Sequence, residues 1–286
     1  MTSNLNKLPN RGFELTITIP WDQIKAVYET IVDKVLAEVE VEGFRKGKAP
    51  HDIALKNVDQ GKVYGEVVNE VLPEAYAQAV REHNLTPVVS PKIQIVTAEE
   101  NKDWVFKATG AEKPEVELNN YKDEIKTINS KGKIWTPGEG TKEETPEEKT
   151  AKESQRVSEV IEKLLAVAKV ELPDLLVEEE VSRLLSQLVD DVRKAGLTID
   201  QYLASTGRKI EDLQDQYRLQ AERALKLEFI LGKIAEEEKL TVSEQELNKV
   251  MEKETDPKAK EALKNQAYLL ASVLRREKTL NYLLSL

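Results

Sequence analysis

Residues 43–50 read Gly43-Phe44-Arg45-Lys46-Gly47-Lys48-Ala49-Pro50. An aromatic ring stands beside three cations, Arg45, Lys46 and Lys48, between two glycines and a closing proline. Gly43 and Gly47 allow turn conformations that residues carrying a Cβ resist, and Pro50 suits the first position of a new helix. The preceding residues 38–42 are acidic and aliphatic, which concentrates positive charge in one short loop. The pattern predicts a protruding tip that shows Phe44 to solvent. A ring next to guanidinium and ammonium groups suits a surface that is anionic and partly apolar. The competing reading is an ordinary turn with Phe44 folded back into the core.

Outward from the loop, the flanks alternate strand and helix. Phe13-Glu14-Leu15-Thr16-Ile17-Thr18-Ile19 alternates apolar and polar side chains as a half-buried strand does, and Pro20 stops it. Ile24, Val27, Tyr28, Ile31, Val35 and Val39 recur at helical spacing and predict an amphipathic helix over 21–39. After the loop, 51–58 reads as a short helix. Val63, Val67, Val71, Ala75 and Ala79 line a longer one that fades at Asn84. Residues 92–96 and 104–109 read as strands joined by a turn at Glu99-Glu100-Asn101-Lys102. The expected first domain is α+β and spans 1–112.

Residues 113–150 differ in character. Asn119-Asn120, Lys131-Gly132-Lys133 and Pro137-Gly138-Glu139-Gly140 punctuate a charged stretch that predicts an extended, partly disordered linker. At its start, Val116, Leu118, Ile125, Ile128 and Ile134 are enough for a short strand or docked segment. From 151 to 286 the periodicity is helical throughout. Val157, Val160, Ile161, Leu164, Leu165 and Ala168 form one stripe. Val177, Val181, Leu184, Leu185, Leu188 and Val192 form another, which begins at Pro173 and ends at Gly196. Helices are further expected over 199–203, closed by Gly207, over 210–239, from the capping pattern at Ser243-Glu244-Gln245-Glu246, and over 257–284.

Bulk composition narrows the function classes. The 286 residues carry a net charge of −10, with 33% charged, 40% hydrophobic and 5% aromatic. A global nucleic-acid binder is basic, so any RNA contact has to be local, and no DNA partner is expected. No apolar run approaches the ~18 residues that span a bilayer. The amino-terminal residues lack the apolar segment of a signal peptide, and with no cysteine there is neither a disulfide framework nor a thiolate metal site. A cytoplasmic location without a membrane partner follows. His51 and His83 are the only imidazoles and lack metal-binding spacing. The runs Glu178-Glu179-Glu180 and Glu236-Glu237-Glu238 place neighbouring carboxylates on different sides of a helix, which is a solvated face and not an acid/base pair. No nucleophile elbow, phosphate loop or dinucleotide fingerprint occurs, so neither catalysis nor a cofactor is expected.

The octet and its surroundings, from Arg11-Gly12-Phe13 through Leu85-Thr86-Pro87-Val88-Val89-Ser90-Pro91-Lys92-Ile93, resemble the ribosome-binding domain of trigger factor, a bacterial chaperone family. The helical half is similar to that family's arm-forming, SurA-like domain. The similarity there lies in Gly196-Leu197-Thr198-Ile199-Asp200-Gln201-Tyr202-Leu203, Ala221-Glu222-Arg223-Ala224-Leu225, and Ile234 to Leu247. The resemblance implies an α+β ribosome-binding domain, a linker and an all-α chaperone domain. It also implies that Gly43, Phe44, Arg45, Lys46, Gly47, Lys48 and Pro50 form the docking element. The partners implied are large-subunit protein and RNA at the tunnel exit, nascent unfolded polypeptides, and a weak homodimer. Client contacts fall to the helical region 151–286 as a whole, with no single residue singled out. Such families usually carry an FKBP-type peptidyl-prolyl isomerase domain between the two halves. Residues 113–156 are too few for one, and Tyr121 and Trp135 are the only rings there to wall an apolar pocket. The expected protein is an ATP-independent holdase without isomerase activity. The alternative is an off-ribosome assembly or scaffold protein on the same fold.

Overall fold

The computed structural model describes residues 1–38, 44–45, 50, 53, 59–131, 146–253 and 266–286. These form two compact units. One comprises Met1–Lys113 with Pro173–Leu176, the other Pro114–Leu172 with Val177–Leu286.

The first unit is a four-stranded antiparallel sheet covered on one face by two helices. Its elements are β1 (Thr2–Lys7), β2 (Gly12–Ile19), α1 (Trp21–Glu38), α2 (Gln60–Glu82), β3 (Lys92–Thr97) and β4 (Trp104–Ala111), with strand order β1-β2-β4-β3. The alternation in β2 turns Phe13, Leu15, Ile17 and Ile19 inward, where each is at most 2% exposed. They meet Trp104, Phe106 and Ala108 of β4 in one sealed layer. Onto that layer pack Ile24, Ile31 and Val32 of α1 and Val63, Val67, Leu72, Ala75 and Ala79 of α2. Each large aliphatic buried this way contributes about 1.5–3 kcal/mol. Phe13 stands directly opposite Gly110, and its ring occupies the space a side chain at 110 would need. Helix α1, as far as its described residues run, and the β3–β4 hairpin follow the sequence pattern. The hairpin is closed by the Trp104 indole N–H donating to the Glu99 carbonyl at 2.9 Å.

Strand β1 has no counterpart in the sequence reading, because Thr-Ser-Asn-Leu-Asn-Lys carries one aliphatic side chain in six. It pairs with β2 along its full length, and Ser3 Oγ, 2.8 Å from Glu82 Oε2 and 3.0 Å from His83 Nε2, ties it to the end of α2.

Among the described residues, the second unit is helical apart from one two-residue strand pair, β5 (Val116–Glu117) with β6 (Lys169–Val170). Its helices are α3 (Tyr121–Lys131), α4 (Pro146–Val167), α5 (Asp174–Lys194, in this unit from Val177), α6 (Ile199–Thr206), α7 (Ile210–Glu237), α8 (Glu244–Lys253) and α9 (Ala267–Ser285). Helix α7 is the spine, burying Leu213, Ala221, Leu225, Leu227, Ile230, Leu231, Ile234 and Ala235. Helices α4 and α9 pack against it, and α3 packs on both. The expected stop signals are in place, with Gly196 and Gly207 at φ +78° and +65°. Thr198 and Gln201 cap α6 reciprocally, and Ser243 and Glu246 exchange the same pair of bonds at the start of α8.

The linker expected over 113–150 needs correcting in its first half and at its end, where 146–150 open α4. Residues 116–131 are folded into the helical unit, because Leu118, Tyr121 and Ile125 bury one face of α3 and its entry. Asn129, 5% exposed, completes that docking. Its amide N–H donates to the Leu283 carbonyl at 2.9 Å, and its oxygen accepts from the Arg156 guanidinium at 2.9 and 3.1 Å. Residues 132–145 of the expected linker lie outside the described residues, as do 254–265 at the start of the last expected helix and most of the short helix expected over 51–58.

Three donors converge on Glu238, just past the end of α7. Lys122 Nζ lies 2.6 Å away, the Tyr282 hydroxyl 2.9 Å and the Tyr121 hydroxyl 3.1 Å. The hydrogen bond from Lys122 leads in holding this carboxyl below its ordinary value, with Tyr282 next. Burial, reinforced by the carboxylate, pushes the Tyr121 phenol well above its own.

Candidate docking tip and apolar helical grooves

Of the expected docking element, Phe44, Arg45 and Pro50 are described; Gly43, Lys46, Gly47 and Lys48 lie outside the described residues. Phe44 is 44% exposed and absent from the sealed core of its unit, and Arg45 beside it is exposed. Pro50 is exposed, and its carbonyl accepts from the Ile53 amide at 3.0 Å. Ile53, 42% exposed, adds a second apolar side chain past the loop. A half-exposed ring alongside a guanidinium can stack on a base or an apolar protein surface while the cation meets phosphate or carboxylate.

The helical unit offers a different kind of surface. In α5, Val181, Leu184, Leu185 and Leu188 recur at helical spacing yet are only half-buried, whereas the inward stripe of α7 is sealed. Between α5 and α7 runs a groove of ≈ 760 Å³. Val181, Leu185 and Val189 give it an apolar floor, and Glu178, Asp190, Asp215 and Arg218 give it a charged rim. A smaller groove of ≈ 320 Å³ lies between α7 and α9, with Leu231, Gly232 and Ala235 on one wall and Leu269 and Val273 on the other. Tyr268, Leu269 and Val273 of α9 are 91%, 57% and 54% exposed. Open apolar troughs with charged rims take up side chains of a flexible polypeptide without fixing one sequence. Sequence periodicity identified the α5 stripe but could not show that it is only half-covered. Elsewhere in the helical region Leu197, Ile210 and Leu219 are also exposed, Leu219 at 71%.

Among the described residues, no group of three or more His, Cys, Asp or Glu is placed to hold a metal, and no helix is long and apolar enough to cross a membrane.

Comparison with known proteins accounts for both units. The family model "Bacterial trigger factor protein (TF)" matches residues 1–134, and the model of its C-terminus matches 141–285. Curated relatives called trigger factor include proteins of Streptococcus pneumoniae, 42% identical over 118 residues, and of Streptococcus uberis, 42% identical over 122. These matches take in 41% and 43% of this chain but 27% and 28% of the relatives, so the aligned part spans about a quarter of their length. A solved structure described as "Promiscuous Substrate Recognition in Folding and Assembly Activities of the Trigger Factor Chaperone" superposes with a TM-score of 0.63 at 13% identity. It covers 100% of this chain and 99% of that one, a likeness of fold. With family models accounting in turn for the α+β unit and for the helical region, the chain belongs to the trigger factor family of chaperones.

Proposed function

We propose that this protein is an ATP-independent chaperone of the cytoplasm that docks on the ribosome near the tunnel exit and shields nascent polypeptides. In this reading Phe44, Arg45 and Lys46 are the central docking residues, framed by Gly43, Gly47, Lys48 and Pro50. They address large-subunit protein and RNA. The exposure of Phe44 beside Arg45, in a chain of this family, is the observation that carries the reading. A confined cationic tip on a body of net charge −10 orients docking and limits adhesion elsewhere. The division of labour puts docking in residues 1–112 and client contact in 151–286, where the half-covered stripe of α5 and the exposed end of α9 provide apolar area. Weak contacts at several such places retain a client and still release it without an energy source.

The same reading assigns no prolyl isomerase activity. Only residues 135–140 lie between the two family-model matches, which leaves no room for a separate catalytic domain.

Co-sedimentation with vacant bacterial ribosomes tests the proposal, with Phe44→Ala/Arg45→Ala/Lys46→Ala beside the parent. Binding by the parent and its loss in a folded variant are expected. A parent that stays in the supernatant at micromolar concentration and low salt would move the function off the ribosome, to assembly or scaffolding.

A further inference from the structure

We propose that the outer edge of the first unit's sheet, at Ile93–Val96 of β3, is a strand-pairing site for an extended polypeptide segment with apolar residues at alternate positions. This rests on the reading that the protein handles unfolded segments, and it adds a site outside the helical region to which client contact is otherwise assigned.

Strand β3 is last in the order β1-β2-β4-β3, and among the described residues no strand lies beyond it. Ile93 stands opposite Ala108 and Ile95 opposite Phe106. Residues directly opposite in an antiparallel ladder share a face, so both isoleucines project on the core side of the sheet. Ala108 and Phe106 are fully buried there, yet Ile95, one strand further out, is 50% exposed. Among the described residues the helical cover therefore stops short of the edge, and the apolar face of the sheet is unfinished at Ile95. The next residue, Val96, sits at an irregularity between Ile95 and Thr97 and is 51% exposed.

The opposite edge is treated differently. Strand β1 exposes Thr2, Asn4, Asn6 and Lys7, polar side chains of the kind that blunt an edge against further pairing. The β3 edge offers two adjacent aliphatics instead. An edge strand presents a row of backbone donors and acceptors, and these select an extended chain of almost any sequence; Ile93 and Ile95 then favour an apolar residue at every second position. The regular ladder ends at Ile95, so the bound segment is short and its hold weak. A second copy of the chain is a poorer occupant, because each copy carries a net charge of −10.

The test uses the full chain and a short fluorescein-labelled peptide of alternating valine and threonine with lysine ends, titrated by anisotropy. Two isomers carry N-methyl groups on one or the other alternate set of residues, since only one set of peptide N–H groups can face β3 in a ladder. One isomer is expected to lose binding and the other to keep it. Ile95→Lys is expected to weaken the unmodified peptide by about tenfold or more. Ribosome co-sedimentation of Ile95→Lys should equal that of the parent, so this site and the docking tip fail separately. If Ile95→Lys does not fold, the two isomers on the parent still decide. No binding, equal binding of both isomers, or a folded Ile95→Lys with unchanged affinity would overturn the proposal. A concentration-dependent dimer dissolved by Ile95→Lys would overturn it too, by giving the edge to a second copy.

Discussion

The hydroxyl of Tyr121 lies 3.1 Å from Glu238 Oε1, joining the first turn of α3 to the end of α7 across 117 positions of sequence. Removing that hydroxyl leaves the carboxylate with Lys122 and Tyr282, so the loss is that of one hydrogen bond. Tyr121→Phe is expected to destabilise the helical unit by about 0.5–1.5 kcal/mol, read from urea unfolding. A change above about 3 kcal/mol would mean that the three donors act as an inseparable network.

Asn129 bridges two partners at once. Its side chain satisfies the Arg156 guanidinium and the Leu283 carbonyl together, in a site where it is 5% exposed. Asn129→Ala removes both bonds while Arg156 keeps its bond to the Leu284 carbonyl at 2.7 Å, and a cost of about 1–3 kcal/mol is expected. Hydrogen exchange in the last turns of α9 should quicken first, because that is where the lost bonds were anchored.

Glu246 gives the unit an acid-sensitive joint. The hydrogen bond from Lys278, at 2.8 Å, and those from Ser243 bring its carboxyl down to about 2 from an ordinary 4.5. A carboxyl depressed in the folded state contributes stability above its unfolded value and loses it as pH falls through the folded one. The melting difference between the parent and Glu246→Gln should therefore be full at neutral pH, shrink below about 4.5 and close near 2. A difference independent of pH would remove the ionised form from the account. The carboxylate is solvent-accessible, so added salt should reduce the neutral-pH difference.

In the first unit, Gly110 is fixed by sterics, not by backbone freedom. A Cβ there would collide with the Cζ and Cε carbons of the Phe13 ring. Gly110→Ala is expected to cost about 1–3 kcal/mol as Phe13 is displaced from the core. Gly110→Ala combined with Phe13→Leu should recover part of the loss, and an additive double variant would refute the clash.

Phe44→Ala should leave equilibrium unfolding within about 0.5 kcal/mol of the parent, as truncation of an exposed residue does. A loss above about 2 kcal/mol would place the ring in the core and remove it from the docking surface.

The sequence revealed elements wherever one side chain period dominated. Phe13 to Ile19 alternates without a break, and Ile24 to Val35 keeps helical spacing, so burial in the structure falls on the residues that periodicity marks. Strand β1 was illegible because its stability comes from pairing with β2 and not from its own side chains, of which Leu5 is the one aliphatic. Helix α3 was read as part of a linker for a related reason. Lysines, aspartate and asparagine dominate its composition, and its order depends on partners more than 100 positions away, at Glu238 and Leu283. The candidate site divides the same way. The residue types at 43–50 are local information, whereas the exposure of Ile95 depends on where two helices stop covering a sheet.

The distance along the chain between Asn129 and Leu283 also sets an order of synthesis. The sheet of the first unit and the two helices that cover it lie between Met1 and Ala111, so its core is available once those residues have emerged, and only Pro173–Leu176 joins that unit later. The helical unit is bonded across 154 positions and cannot close around α3 until α9 has been made. During translation, α3 and α4 can meet each other and α4 can meet α7, but the faces of α3 and α4 that meet α9 wait uncovered. The protein spends part of its own birth in the condition of the clients it is proposed to protect.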